Sequence, residues 1–277
     1  MRNLGRIFAI LLCGGACAGK TPSTAPDPPI PEPMPTFGTV IWQDDFLSYT
    51  SAADILAAYS HLNGESQISL DTTGGYGGFQ AMRINWPQQT NTVTSLGGCT
   101  DGDHLIERGF TPTPEIYVQY YVRYQAGFQF DWNAARAAGV AGNCTGNAKK
   151  LFLLPSASGA RLQLVSENHH IVLYTENQLS LMTGQPGIQN VGAEFTPEDL
   201  GDGNWHRITI HAKMSSTPTA TDGFLYGWID GNLKWSNPAY ATGNTGGWDY
   251  FQTPTVFNQG SPVAQSEWMD NLSVWHP

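Results

Sequence analysis

Charge is scarce in this chain. Only 13% of its 277 residues are Asp, Glu, Lys or Arg, with 13 basic residues against 23 acidic ones. The resulting net charge of −10 excludes nucleic acid as an expected partner, because phosphate binding demands a basic surface. It also disfavours adsorption to anionic lipid. No apolar run is long enough to span a bilayer as a helix; the N-terminal one reaches only from Ile7 to Leu12. Helical periodicity is confined to two short places, Ala52 to Tyr59 behind a Ser51 cap and Trp132 to Ala138. The four cysteines show no CxxC spacing, and His169 and His170 are adjacent rather than offset, so no zinc site is expected.

What fills the chain instead is short alternating runs separated by Gly, Pro, Asn and Asp, with 31 glycines and 18 prolines spread widely. That pattern predicts an all-β sandwich with short helices in loops. The last quarter is the clearest stretch. An alternating strand, Asn204 to His211, is followed by Asp222-Gly223, an aromatic strand from Phe224 to Ile229, and a second Asp-Gly pair at 230–231. It reads as a β-meander with tight turns. There is no internal repeat and no second domain.

The N-terminus reads as an export signal over residues 1–16, with Arg2 and Arg6 ahead of the apolar core. Gly14, Gly15 and Ala16 precede Cys17, and the tetrapeptide looks like a bacterial lipobox with Gly where Leu is usual. Cys17 is therefore the expected lipidation site, with plain secretion as the alternative. Residues 17–36 carry seven prolines between Pro22 and Pro35, which favours an extended polyproline tether. The domain proper is expected over 37–277, outside the cytoplasm, as a monomer that meets a membrane only through the anchor. Cys99 and Cys144 then remain in an oxidising compartment, where pairing is the default. Closing that span would stabilise the fold by roughly 4 kcal/mol on a chain-entropy model.

The meander and the closing run Met269-Asp270-Asn271-Leu272-Ser273-Val274-Trp275 resemble the concanavalin A-like jelly-roll superfamily. That superfamily includes laminin-G-like domains, legume lectins, glucanases and several polysaccharide lyases. The resemblance implies a β-sandwich of two antiparallel sheets, a glycan groove on the concave sheet, and pairing of the opening strand Thr39–Phe46 with the closing strand Glu267–Trp275. It also suggests a structural Ca²⁺ between Asp45 and Asp270, since carboxylates and carbonyls suit a hard cation. No organic cofactor is expected.

Period-two reading then sorts the middle strands. Val118, Tyr120, Val122 and Tyr124 make an apolar face, opposite Tyr117, Gln119, Tyr121 and Arg123. Leu162 and Leu164 point to the core, with Arg161 and Gln163 away from it; Ile171 and Leu173 likewise oppose His170, Tyr174 and Glu176. Three strands are thereby expected to present Tyr, Gln, Arg and His from one side, a mixture that suits sugars. Arg108, Arg123, Arg136, Lys149, Lys150 and Arg161 concentrate in the same segment of an acidic chain, which suits an acidic polysaccharide.

Three functions compete for that face. A glycoside hydrolase needs two carboxylates flanking the bond, and the Glu-x-Asp-x-x-Glu strand of jelly-roll glucanases is absent. A polysaccharide lyase needs a group to neutralise the uronate carboxylate and Tyr or His to move protons. Arg123, Arg161 and Gln163 would neutralise, with Tyr121, His170 and Tyr174 as base or acid. Tyr250 to Gln259 also resembles the Tyr-Phe-Lys-Ala-Gly-(Val/Ile)-Tyr-Asn-Gln strand of jelly-roll alginate lyases, with Gln252 for Lys, one extra residue near Pro254, and Phe257 where a catalytic Tyr would stand. Ile106-Glu107-Arg108 faintly echoes the family's Arg-(Ser/Thr)-Glu strand, and its Gln-(Ile/Val)-His triplet is missing. A glycan-binding module asks for fewer coincidences and is the main expectation, with Tyr117, Gln119, Arg123, Lys150, Arg161, Gln163 and Glu176 contacting sugar. Trp86, Trp132 and Trp248, beside Pro or Gly or in an insertion, are candidates for the groove rim.

Overall fold

The computed structural model describes residues 38–61, 65–89, 102–103, 106–140, 144, 146, 148–154, 161–167, 170–176, 188–191, 195–241, 246–253 and 256–277. The expected export signal, Cys17, the expected tether and Cys99 lie outside them. The described residues belong to the compact unit from Pro33 to Pro277.

The first half contributes β1 (Thr39–Asp44), β2 (Ser60–His61), β3 (Ile68–Asp71), β4 (Ala81–Trp86), β5 (Gly102–Asp103), β6 (Ile106–Thr113) and β7 (Glu115–Tyr124). The middle adds β8 (Ala148–Leu154), β9 (Arg161–Glu167), β10 (His170–Glu176) and β11 (Gln189–Asn190). The meander follows as β12 (Trp205–Lys213), β13 (Gly223–Ile229) and β14 (Asn232–Tyr240). The chain closes with β15 (Trp248–Thr253), β16 (Val256–Phe257) and β17 (Gln265–His276).

These strands form two antiparallel sheets. The first runs β11-β14-β13-β12-β7-β17-β4-β3, with β1 also on β17; the second runs β10-β9-β8-β15-β6-β2, with β16 on β8 and β5 on β16. The expected joining of the chain ends is present, since Thr39 faces His276 and Asp44 faces Leu272. β17 is long enough to serve two neighbours on one side. Its Gln265–Met269 half pairs with β4 and its Leu272–His276 half with β1.

Alternation builds the core as expected for strands buried on one face. Val118, Tyr120, Val122 and Tyr124 of β7 join Leu162 and Leu164 of β9 and Ile171 and Leu173 of β10 in one buried cluster between the sheets. Both expected helices form. Ser51 caps α1 (Ala52–Ala58), its backbone amide bound by Asp54 at 3.0 Å. Asp131 caps α2 (Trp132–Ala137) by accepting from the Ala134 amide at 2.6 Å.

The two Asp-Gly pairs differ. Asp230 (φ 52°) and Gly231 (φ 82°) make the left-handed two-residue turn between β13 and β14. Gly223 instead begins β13, where a Cβ would lie 2.6 Å from the Tyr240 carbonyl oxygen and 2.8 Å from that of Lys213. It is glycine because three backbones crowd there, not because the chain turns. Trp86, Trp132 and Trp248 are fully buried rather than set at a rim, and the Trp132 indole donates to the Gly260 carbonyl at 2.8 Å.

Candidate glycan-binding and active faces

The single face expected from Tyr117, Gln119, Tyr121, Arg123, Arg161, Gln163, His170, Tyr174 and Glu176 is split by the fold. β7 belongs to the first sheet and β9 and β10 to the second. Their apolar residues meet in the shared core, so the strand faces turned away from it are opposite faces of the sandwich. Alternation tells which side of a strand a residue takes, but not which sheet the strand joins.

Lys150 belongs to neither face. It is buried, its Nζ lies 2.8 Å from Glu267 Oε2, and Trp86, Tyr124, Phe128 and Phe257 surround the ammonium. Burial lowers its pKa, opposed by the Glu267 charge. The expected sugar contact at Lys150 is thus replaced by an ion pair joining the two sheets. Cys144 is buried in the same core.

On the second sheet, register assembles one rung across five strands: Tyr174, Gln163, Phe152, Gln252 and Glu107. Arg161 pairs with Glu176 two residues along from it. At the β15 end the side chains interlock. Gln252 Nε2 donates to Glu107 Oε2 at 2.9 Å. The Tyr250 ring packs against Gly109 of β6, 3.4 Å from where a Cβ would stand. The Tyr250 phenol is pushed well up, first by burial and then by its hydrogen bond to Glu107 and that carboxylate's charge. It therefore holds its proton at neutral pH. His170 sits at the other end of β10, opposite Glu167. Four residues of strand put it about 13 Å from Tyr174.

Glu107, Tyr250 and Gln252 are the residues that strand-by-strand reading did not place in the site. The signal was the alginate-lyase-like run itself, whose strand β15 packs between β6 and β8. Phe257 is fully buried against Trp86. It lies in the core with Phe251 and Thr253, so the position aligned with the family's Tyr is not on the outer face.

On the first sheet, Tyr121 stacks on Tyr76 with ring centroids 4.0 Å apart. Its pKa is raised, chiefly by burial and then by Tyr76, against a lowering effect of Arg207. That direction disfavours Tyr121 as a base. Tyr117 is buried in a stack with His211 (3.8 Å) and Trp275 (5.7 Å), and Gln119 accepts from the Thr209 hydroxyl at 3.3 Å. Beside these, Gln43, Asp44, Asp45, Tyr76, Tyr121 and Asn271 line a pocket of about 350 Å³. A bulge at Asp270–Asn271 (Asn271 φ 48°) turns the buried Asp270 carboxylate toward this region. There it accepts from the Tyr76 amide at 2.8 Å and the Asn271 amide at 2.7 Å. Burial, with the charges of Asp45 and Asp44, raises its pKa to about 6 against those hydrogen bonds. Among the described residues, no three acidic, His or Cys side chains form a metal-holding group.

No protein-family model and no curated protein matches the sequence. Solved structures do. The marine PL-14 alginate lyase from Aplysia kurodai superimposes with a TM-score of 0.57 at 15% identity, covering 87% of this chain and 100% of that one. The fungal endo-β-1,4-glucuronan lyase from Trichoderma reesei gives 0.55 at 15% identity, covering 86% and 96%. Alginate lyase Aly36B gives 0.54 at 16% identity, covering 84% and 95%. The fold is that of jelly-roll polysaccharide lyases. At these identities the likeness concerns the fold, and it agrees with the strand-level resemblance of Tyr250–Gln259.

Proposed function

We propose that this protein is an exported polysaccharide lyase that cleaves a uronate polymer by β-elimination on the outer face of the second sheet. The observation that carries the reading is the Tyr250–Glu107–Gln252 cluster, on the very strands whose sequence resembles alginate lyases and in a fold shared with alginate and glucuronan lyases. In the elimination a base takes the proton from C5 of the uronate. The C4–O bond then breaks, a C4=C5 double bond forms, and the departing oxygen takes up a proton. Gln252 and Gln163 are suited to donate to the uronate carboxylate, which makes the C5 proton more acidic, and Arg161 would add a charge. Tyr250, held protonated, is suited to supply the leaving oxygen, and Tyr174 to serve as base.

The test is ultraviolet absorbance of the new double bond while the protein is incubated with alginate, glucuronan and pectate. The wild type is expected to generate it on one of them. Gln252→Ala and Tyr250→Phe are each expected to lower kcat by about 10²-fold or more. The second reading, a glycan-binding module without turnover, is favoured by the raised pKa of Tyr250, which disfavours that phenol as the base. A flat trace from the wild type on all three polymers, with retention on one of them, would establish that reading and remove the lyase.

Three further features belong to the same proposal. Residues 1–16 direct export, and Cys17 carries the lipid. Cys99 pairs with the buried Cys144. Asp45 and Asp270 share a structural Ca²⁺ with carbonyl and amide oxygens; the mutual repulsion of Asp270 with Asp45 and Asp44 is what such an ion would relieve.

A further inference from the structure

The outer face of the first sheet carries a second arrangement that the lyase reading does not use. Four adjacent strands, β12, β7, β17 and β4, put Trp205, Arg123, Trp268 and Arg83 in direct cross-strand register. The guanidinium of Arg123 lies 5.3 Å from the Trp205 ring and 4.2 Å from that of Trp268, and Arg83 lies 5.1 Å from Trp268 on its other side. The rung is an alternating stack of aromatic and cation, and all four residues are partly exposed.

Arg83 is anchored through Nη2, which donates to the Ser266 hydroxyl at 3.1 Å. Asp71 accepts from the Trp268 indole at 2.8 Å and interacts with the charge of Arg123. In a chain of 23 acidic and 13 basic residues, two guanidiniums on one rung are a local concentration of positive charge. Beyond Arg83 the face continues into a pocket of about 400 Å³ lined in part by Gln67, Asn85, Gln125 and Ser266, amides and a hydroxyl suited to sugar hydroxyls. On the other flank, the exposed Tyr76 stands edge-on to Trp205 at 6.2 Å.

We propose that the Trp205–Arg123–Trp268–Arg83 rung is a second glycan site, on the sheet opposite the candidate active face, holding a uronate chain without cutting it. Indole rings offer flat apolar surface to the C–H faces of sugars, and guanidiniums pair with carboxylates. Neighbouring strands lie about 4.8 Å apart, close to the length of one sugar in an extended hexose chain, so a chain crossing the strands meets one side chain per sugar. No acid–base pair stands on the rung, so it binds only. A tethered enzyme with such a back face would keep hold of a polymer while the other face works along it. The ligand class, a uronate polymer, rests on the reading above; the existence of the site does not.

The test is affinity electrophoresis of the exported protein in gels containing alginate, glucuronan, pectate or a neutral β-glucan. Wild type is compared with Arg83→Gln, Arg83→Lys, Trp268→Ala and Trp268→Phe, and folding of each variant is checked by thermal melting. Wild type is expected to be retarded by at least one uronate polymer and not by the glucan. Arg83→Gln and Trp268→Ala are expected to weaken that retardation about tenfold each, and the Lys and Phe variants to restore part of it. Wild-type retardation in folded Arg83→Gln and Trp268→Ala, equal retardation by the glucan, or none by any uronate polymer would overturn the site. The double-bond absorbance separates the two proposals. Retardation that depends on Arg83 and Trp268 with no absorbance change keeps this site and sinks the lyase. Absorbance with unaltered retardation in the variants does the reverse.

Discussion

Lys150 shows why one basic residue in a basic segment is not a ligand contact. Sequence fixes its charge, and the run Lys149-Lys150-Leu151 gives no sign of which side each residue takes. A register shift in β8 between Lys149 and Leu151 breaks the alternation, so both Lys150 and Leu151 are buried. The ammonium is then held by aromatic faces and by Glu267 on the opposite sheet. Lys150→Met is expected to cost about 3–5 kcal/mol, because it strands Glu267 as a buried, unpaired charge. The Lys150→Met/Glu267→Leu double variant should recover most of that, and urea unfolding of the three proteins checks both statements.

At the scale of elements, most of what local chemistry dictates is present: the Ser51 and Asp131 caps, the Asp230-Gly231 turn, and the alternation of β7, β9 and β10. His206 exceeds what its strand predicts. From the start of β12 it reaches Asp230 Oδ2 in the hairpin turn at 2.7 Å and Asp202 Oδ1 in the preceding loop at 3.1 Å. His211, farther along the same strand, is buried against Tyr117 and Glu115. Burial alone would lower the His206 pKa, but the two carboxylates outweigh it and the net direction is up from 6.5. A folded pKa above the unfolded one means the stabilisation is fully present below about pH 6.5 and disappears as pH rises through the folded value. Stability should therefore fall across neutral and mildly alkaline pH. Asp230→Asn, which keeps the turn geometry, should flatten that slope in melts taken across pH.

At the scale of the whole molecule, two expectations concern how distant parts are tied together. Asp45 directly follows β1 and Asp270 sits in β17, so a cation between them would lock the paired chain ends; added Ca²⁺ should raise the melting temperature and EDTA lower it. No change with either would remove the metal. Pairing of Cys99 with Cys144 predicts no reactive thiol from these two in the exported protein and a lower melting temperature after reduction. Two reactive thiols before reduction would refute it.

The chain by itself determined its class and the side of each strand. Low charge, abundant Gly and Pro, and period-two alternation leave little but a β-sandwich, and the buried halves of β7, β9 and β10 follow from alternation alone. Even the run that resembles alginate lyases marked the strand where Tyr250 and Gln252 now meet Glu107. Only the tertiary structure decided which strands share a sheet, and so which polar residues share a face. Alternation is local, set by the geometry of one strand, whereas sheet membership depends on pairings between residues far apart in sequence. That is why Arg123 on β7 and Gln163 on β9, expected on one face, belong to different sheets.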